Sequence, residues 1–326
     1  MTWGYDRLTV LAYHRIAEPG VADLGAPGVV SASPQDFARQ MDHVRRWYTP
    51  IDLDRLAEFV VDGRRLPARP LLITFDDGYR DNYELALPIL EERGLPAVLF
   101  VATGLVGTTR MAWWDRVWHA VRTTRLPHAS LPLVGRVRLD GPQMRNCVWT
   151  LLSVALKKRP FRTRESLVDE IESALGVERP HRDRPDFMSW SQAREMASHG
   201  IAIQPHTVDH PVLSSETPGD ARAQIHASVA TVSERMGRPV RAFAFPNGRR
   251  EDYRQSEIEA LREAGVRLAF TMVHGPARAE AAWKAPLEIP RVALELKDGW
   301  RGFALKIAGR GRVKDRVRPA MRLVGR

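Results

Sequence analysis

Four stretches of the chain share one pattern, in which an amphipathic helical period ends at a glycine and a short apolar run follows within a few residues. They are EERGLPAVLFV, MASHGIAIQ, SERMGRPVRAFAF and REAGVRLAFTM. Gly94, Gly200, Gly237 and Gly265 stand where a helix C-cap takes a left-handed residue, and the runs after them are rich in Val, Ile, Ala and Phe. Repeated helix, glycine, strand units predict a parallel sheet. With LTVLAY, PLLITF and PLEIPRVAL added, seven strands are expected, near 8–13, 70–75, 97–102, 201–204, 240–245, 266–271 and 287–293. Amphipathic patterns over 34–48, 80–93, 189–199, 218–236 and 251–264 supply the crossovers, and Ser33 with Pro34 reads as an N-cap and first helical position. The expected fold is α/β, a distorted seven-stranded (β/α) barrel over residues 1–300.

The rhythm breaks between about 105 and 187, where tryptophans and prolines accompany 15 basic against 9 acidic residues. This stretch reads as a mainly helical insertion, with helices in WWDRVWHAVRTT and TRESLVDEIESAL and strand or loop between them. At the other end, residues 301–326 form a basic C-terminal tail with nine Lys or Arg and one Asp.

That count changes the meaning of the net charge of +10: the tail holds +8 and the remainder only +2. Basicity is therefore a property of the tail, which argues against nucleic acid as a partner and leaves peripheral contact with anionic lipid headgroups as the tail's functional reading. The 44% apolar and 27% charged content is that of an ordinary globular chain. The first residues, MTWGYDRLTVLAY, lack a basic n-region and a small-residue cleavage site, so the expected location is cytoplasmic, with a peripheral position at the inner membrane face as the further option. A single cysteine, Cys147, excludes an intrachain disulfide and a cysteine-rich zinc cluster, leaving histidine and carboxylate to hold any metal.

The chemistry-bearing residues fall just past strand ends, the active-site face of an α/β barrel. ITFDDG closes a buried-type strand with Asp76 and Asp77, a repulsive pair that is tolerable when one binds metal and the other titrates. QPHTVDHP follows the strand IAI and sets His206 and His210 four residues apart, a spacing that lets both face one ion. Two histidines and an aspartate leave positions open for water and substrate, the layout of a catalytic zinc site. AYHRI puts His14 at the end of the first strand, where it is a general-acid candidate, and AFAFPNG ends another strand in the turn Pro246, Asn247, Gly248.

The order YHRI, LLITFDDGYRDNYELALPIL, SWSQAREMASHGIAIQPHTVDHPVLS, FAFPNG resembles the polysaccharide deacetylases of the chitooligosaccharide deacetylase homology group, also known as carbohydrate esterase family four, over most of residues 7–293. The resemblance implies hydrolysis of N-acetyl groups on amino sugars of a glycan. It implies a divalent ion, most often Zn2+, held by Asp77, His206 and His210, with Asp76 as base, the Asn247 N–H on the oxyanion and His14 as acid. Many such proteins carry an arginine in the third motif, where this chain has Ala244; Arg291 in EIPRV, at another strand end, is the candidate replacement. Trp190 of SWSQ either lines the sugar site or anchors a helix start, and Trp113 and Trp114 have no assigned role.

The same metal chemistry serves an O-acetyl ester, an N-formyl or N-acetyl lipid-linked sugar, or a non-sugar amide. A non-catalytic glycan-binding protein is the rival from another class, and the retained acid and base pair weighs against it.

Overall fold

A computed structural model describes residues 7–18, 25–179 and 184–310. Its centre is seven parallel strands: β1 (Arg7–Tyr13), β2 (Pro70–Phe75), β3 (Ala97–Val101), β4 (Ile201–Pro205), β5 (Ala242–Ala244), β6 (Leu268–His274) and β7 (Ile289–Ala293). All seven coincide with expected strands to within a few residues. Hydrogen bonding joins them in the order β5-β6-β7-β1-β2-β3-β4, so the first strand lies between the last and the second. Registers such as Tyr13 with Phe75 and Val101 with Pro205 keep the strand C-termini at one end. The result is a nearly closed barrel.

The seam between β4 and β5 is joined by side chains. Gln204 Oε1 accepts from the N–H groups of Arg241 (3.0 Å) and Ala242 (2.8 Å), and the His206 ring donates Nδ1–H to the Ala244 carbonyl at 2.7 Å. A buried amide thus serves two backbone donors that a neighbouring strand would otherwise satisfy.

Side chains alternate along each strand, and this alternation divides the core. Leu8, Val10, Leu72, Val98, Phe100, Ala242, Ala244, Leu268, Phe270 and Ile289 fill the barrel interior. Leu11, Tyr13, Ile73, Phe75, Leu99, Ile203, Phe243 and Val292 face outward into a separate cluster with the helices. Those helices are α1 (Pro34–Trp47), α2 (Leu53–Asp62), α3 (Leu87–Glu92), α4 (Trp113–Thr123), α5 (Pro142–Lys157), α6 (Phe161–Ala174), α7 (Trp190–Ser198), α8 (Pro218–Met236), α9 (Gln255–Glu263), α10 (Ala279–Lys284) and α11 (Gly299–Ile307). Ser33 caps α1 by accepting from Asp36 N–H, with Pro34 at the first position. The four glycines of the repeating pattern all adopt left-handed φ, between 61° and 83°.

Residues 105–187 contain α4, α5, α6 and an antiparallel hairpin, His128–Leu131 with Gly135–Arg138. They build a further cluster around Val117, Leu152, Val168 and Ile171, which Ala26, Tyr79 and Ala102 join from outside the stretch. Arg116 of α4 ties the helices together through Glu172 (2.9 and 2.6 Å) and Asp169 (2.5 Å) of α6. Helices α2, α5 and α10 were not anticipated, and neither was α11, which occupies the start of the basic tail. It packs through buried Phe303 and Ile307, while residues 311–326 of the tail lie outside the described residues. Among the described residues no helix is long and apolar enough to cross a membrane.

Candidate active site

The interior rows of the barrel lead directly into a cluster at the strand C-termini. Continuing each row by twos, Leu72 and Thr74 lead to Asp76, Ala202 and Gln204 to His206, Val10 and Ala12 to His14, and Ile289 to Arg291. Alternation alone would turn Asp77 outward. Instead its φ of 74° bends the chain, and Gly78 follows at 85°. A Cβ on Gly78 would stand 2.9 Å from Val106 and 3.1 Å from Val101, so the turn is crowded as well as left-handed. Thr207 (66°), His210 (53°) and Asn247 (58°) also take positive φ, placing four of the six such non-glycine residues among the described ones at this face. Backbone of that kind is held only where its surroundings impose it.

Asp77, His206 and His210 bring three ligand-type atoms within 4.8 Å of one another, and all three residues are buried. Asp77 Oδ1 lies 3.4 Å from His210 Nε2 and 3.6 Å from His206 Nε2. Ligand atoms about 2.0–2.2 Å from a shared ion at tetrahedral angles stand about 3.3–3.6 Å apart, so the spacing suits a divalent ion. Asp77 Oδ1 is buried and has no hydrogen-bond donor among the described residues. His206, by donating Nδ1–H to Ala244, is left with its Nε2 lone pair facing Asp77. Burial, partly offset by Asp76, pulls the His206 pKa down to about 4, and burial takes that of His210 well below its ordinary value. Both rings are therefore neutral near pH 7, as ligation demands. Burial, reinforced by the charge of Asp76, pushes the Asp77 carboxyl well up, so the pocket needs a positive charge to keep both carboxylates ionised.

Asp76 has a different environment. The Arg291 guanidinium grips it in two parallel bonds, Nη1 to Oδ1 at 2.8 Å and Nη2 to Oδ2 at 2.7 Å. Arg291 is itself fully buried and is anchored through the Thr74 hydroxyl (3.1 Å) and the Thr271 carbonyl (3.2 Å). Burial raises the Asp76 pKa, but Arg291 outweighs it and the group ends at about 2. Where this chain has Ala244 in place of an arginine, Arg291 of β7 thus supplies a guanidinium to Asp76.

His14 is half-buried one residue past β1, next to Asp76 across the β1–β2 register; Asp76 N–H donates to Tyr13 O at 2.9 Å. Its own backbone is pinned by Ser31 Oγ, which accepts from its N–H, and by Asn82 Nδ2, which donates to its carbonyl. Burial lowers its pKa, with Asp76 pulling the other way. Asn247 sits at the turn after β5, and among the described residues its N–H meets no backbone acceptor. Trp190 packs at the start of α7 against the core and Gly107.

One flank of the site was not foreseen. Trp114 of α4 meets the His210 ring edge-on, 4.8 Å between centroids, and donates Nε1–H to the Tyr79 hydroxyl at 2.7 Å. That hydroxyl donates to Asp115 at 3.2 Å, and Arg15, paired with Asp81 at 2.6 Å, lies over the Tyr79 ring. Buried Arg164 of α6 donates to the His210 carbonyl at 3.3 Å. Residues 105–187 therefore brace His210 from both sides. The tryptophans were visible as helix-pattern residues, but no local signal tied them to a histidine almost a hundred positions away.

Residues 63–269 match the family described as Polysaccharide deacetylase. Among curated proteins, the chain is 22% identical over 272 residues to the putative polysaccharide deacetylase YxkH of Bacillus subtilis, covering 83% of this chain and 66% of that protein. It is 26% identical over 96 residues to the poly-beta-1,6-N-acetyl-D-glucosamine N-deacetylase of Escherichia coli, covering 29% of this chain and 14% of that protein. The chain thus spans just under two thirds of the first relative and a small part of the second. Among solved structures, Streptococcus pyogenes deacetylase PplD superposes with a TM-score of 0.61 at 17% identity, covering 92% of this chain and 98% of that one. IcaB from Ammonifex degensii superposes with 0.59 at 22%, covering 93% and 97%. At these identities the superpositions establish the barrel, and the match over 63–269 establishes the lineage. The chain belongs to the polysaccharide deacetylase family.

Proposed function

We propose that the protein is a metal-dependent hydrolase that removes N-acetyl groups from amino sugars of a glycan. One observation carries the reading: a buried Asp77, His206, His210 triad with ligand spacing stands beside a second carboxylate, Asp76, that Arg291 keeps ionised. A divalent ion held by the triad, Zn2+ by donor type, would supply Lewis acidity and lower the pKa of a nearby water.

The chain's own groups complete the reaction in this reading. Asp76 takes the proton of the attacking water, and its fixed position relative to Arg291 aims one carboxylate oxygen without a search. The Asn247 N–H donates to the oxygen on which charge develops as the acetyl carbon becomes tetrahedral. His14 gives a proton to the departing nitrogen, an amide nitrogen being a poor leaving group without one. Products are the free amine and acetate.

The test is acetate release from defined glycans, β-linked N-acetylglucosamine oligomers of both 1,4 and 1,6 linkage among them, beside O-acetylated and N-formylated sugars. Activity is expected on N-acetylated substrates, abolished by chelator, restored by zinc, and absent in Asp77→Ala. Activity that survives both chelator and Asp77→Ala refutes the mechanism. Cleavage of esters alone assigns the same site to O-deacylation, and no turnover of any substrate with zinc bound leaves a glycan-binding protein.

A further inference from the structure

The barrel end opposite the candidate site has its own chemistry. Helices α1 and α11 lie side by side and parallel: Arg39 stacks on Trp300 (4.1 Å), His43 meets Phe303 (5.8 Å), and the Tyr48 hydroxyl donates to the Ile307 carbonyl (3.3 Å). Both finish at the N-terminal end of the strands. Arg7, the first residue of β1, donates to the Ala308 carbonyl, and Thr49, just past α1, takes the carbonyl of Arg69, just before β2. Two large apolar side chains are left open there, Trp47 at 46% exposure and Leu305 at 51%.

Arginines stand at the same end of the barrel. Arg7, Arg69, Arg241 and Arg267 stand at or immediately before the start of β1, β2, β5 and β6, and Arg46 lies over the Trp47 ring at 5.1 Å. Among the described residues, only Arg241 of that set has a carboxylate within bonding distance, Asp54 at 2.8 Å. The chain leaves this same end at Arg310 and continues for sixteen residues, 311–326, that hold six basic side chains and one acidic. Exposed tryptophan and leucine with arginines at the same end of the barrel, followed by a polybasic run, is the composition that seats a protein on an anionic bilayer: apolar tips reach the headgroup boundary and guanidinium groups meet lipid phosphates.

We propose that this end of the barrel is a membrane-docking surface for anionic phospholipid, and that docking turns the candidate site away from the lipid. The strands span roughly 20 Å from that end to the metal-ligand residues at about 3.3 Å per residue. A docked molecule therefore presents its site outward, to polymer standing off the surface, and not to a sugar embedded among the headgroups. The docking claim is independent of the catalytic reading.

The experiment is co-sedimentation of the full chain with vesicles of phosphatidylcholine and phosphatidylglycerol, against phosphatidylcholine alone. Binding is expected only with the anionic lipid, falling steeply with salt, and at least about ten-fold weaker after removal of residues 311–326. Trp47→Ser with Leu305→Ser should weaken it further without changing hydrolysis of a soluble substrate. In a Cys147→Ser background, a polarity-sensitive label at Arg45→Cys should shift to the blue on vesicles while one at Arg249→Cys, beside the candidate site, does not. Equal binding to both lipids, a shift at position 249 instead, or displacement from vesicles by a low concentration of an unrelated oligonucleotide would overturn the proposal, the last by making the surface a nucleic-acid site.

Discussion

The contrast in charge state between two adjacent aspartates rests on a single guanidinium. Asp76 at about pKa 2 is ionised throughout the working range, so it does not set the acid side of a pH profile. In Arg291→Gln the counter-charge is gone, burial prevails, and the Asp76 pKa must rise. The acid limb of kcat should then move to higher pH, with kcat down about 10- to 100-fold, the usual effect of losing a group that holds a catalytic one. An acid limb that stays in place would separate Arg291 from Asp76. His14 has the opposite sign: an acid works only while protonated, and burial already lowers its pKa, so kcat should decline as pH rises. His14→Gln should lose that alkaline decline along with about 10²–10⁴-fold in kcat; an unaltered profile would remove His14 as the proton source. Most of these residues were readable in the chain, because a strand's alternation continues into Asp76, His206, His14 and Arg291. Arg291 was readable only as a candidate, since nothing local reveals which interior carboxylate a guanidinium will meet 215 residues away. The bracing of His210 by Trp114 was not readable at all, being a contact between an insertion and a loop.

At the scale of elements, the repeating pattern located all seven strands because apolar runs after a capping glycine are a local signal. What escaped has physical reasons. Helix α5 is buried on one narrow face only, through Val148, Leu152 and Leu156, and its period is diluted by Asn146, Cys147 and Thr150. Helix α2 is ten residues long, and α11 lies in a segment whose glycines and basic residues speak for a loose terminus, yet Phe303 and Ile307 dock it on α1. The β4–β5 seam depends on tertiary contact in the same way. Gln204→Leu would leave the Arg241 and Ala242 N–H groups without their acceptor, at a cost of about 1–3 kcal/mol for each group that water cannot reach. A lowered melting temperature with earlier amide exchange in β5 than in β1 is the expected result; an unchanged melting temperature would mean the seam closes by other contacts.

For the molecule as a whole, chain order and spatial order disagree at one place. β1, the first of the seven strands in chain order, is completed by β7, the last of them: Leu11 pairs with Val292 and Ala12 with Ala293. During synthesis β1 and β2 can pair early, but the other edge of β1 must wait for the remaining five strands, and an unpaired parallel edge is both slow to satisfy and prone to the wrong partner. Asp76 waits with it, since its counter-charge is carried on the closing strand. The event that covers the free edge of β1 is thus the same one that supplies Asp76 with its guanidinium. A chain that stops short of β7 would keep that edge exposed and leave Asp76 buried without its counter-charge, so a molecule that has escaped aggregation by closing has, by that act, set the charge of its candidate site.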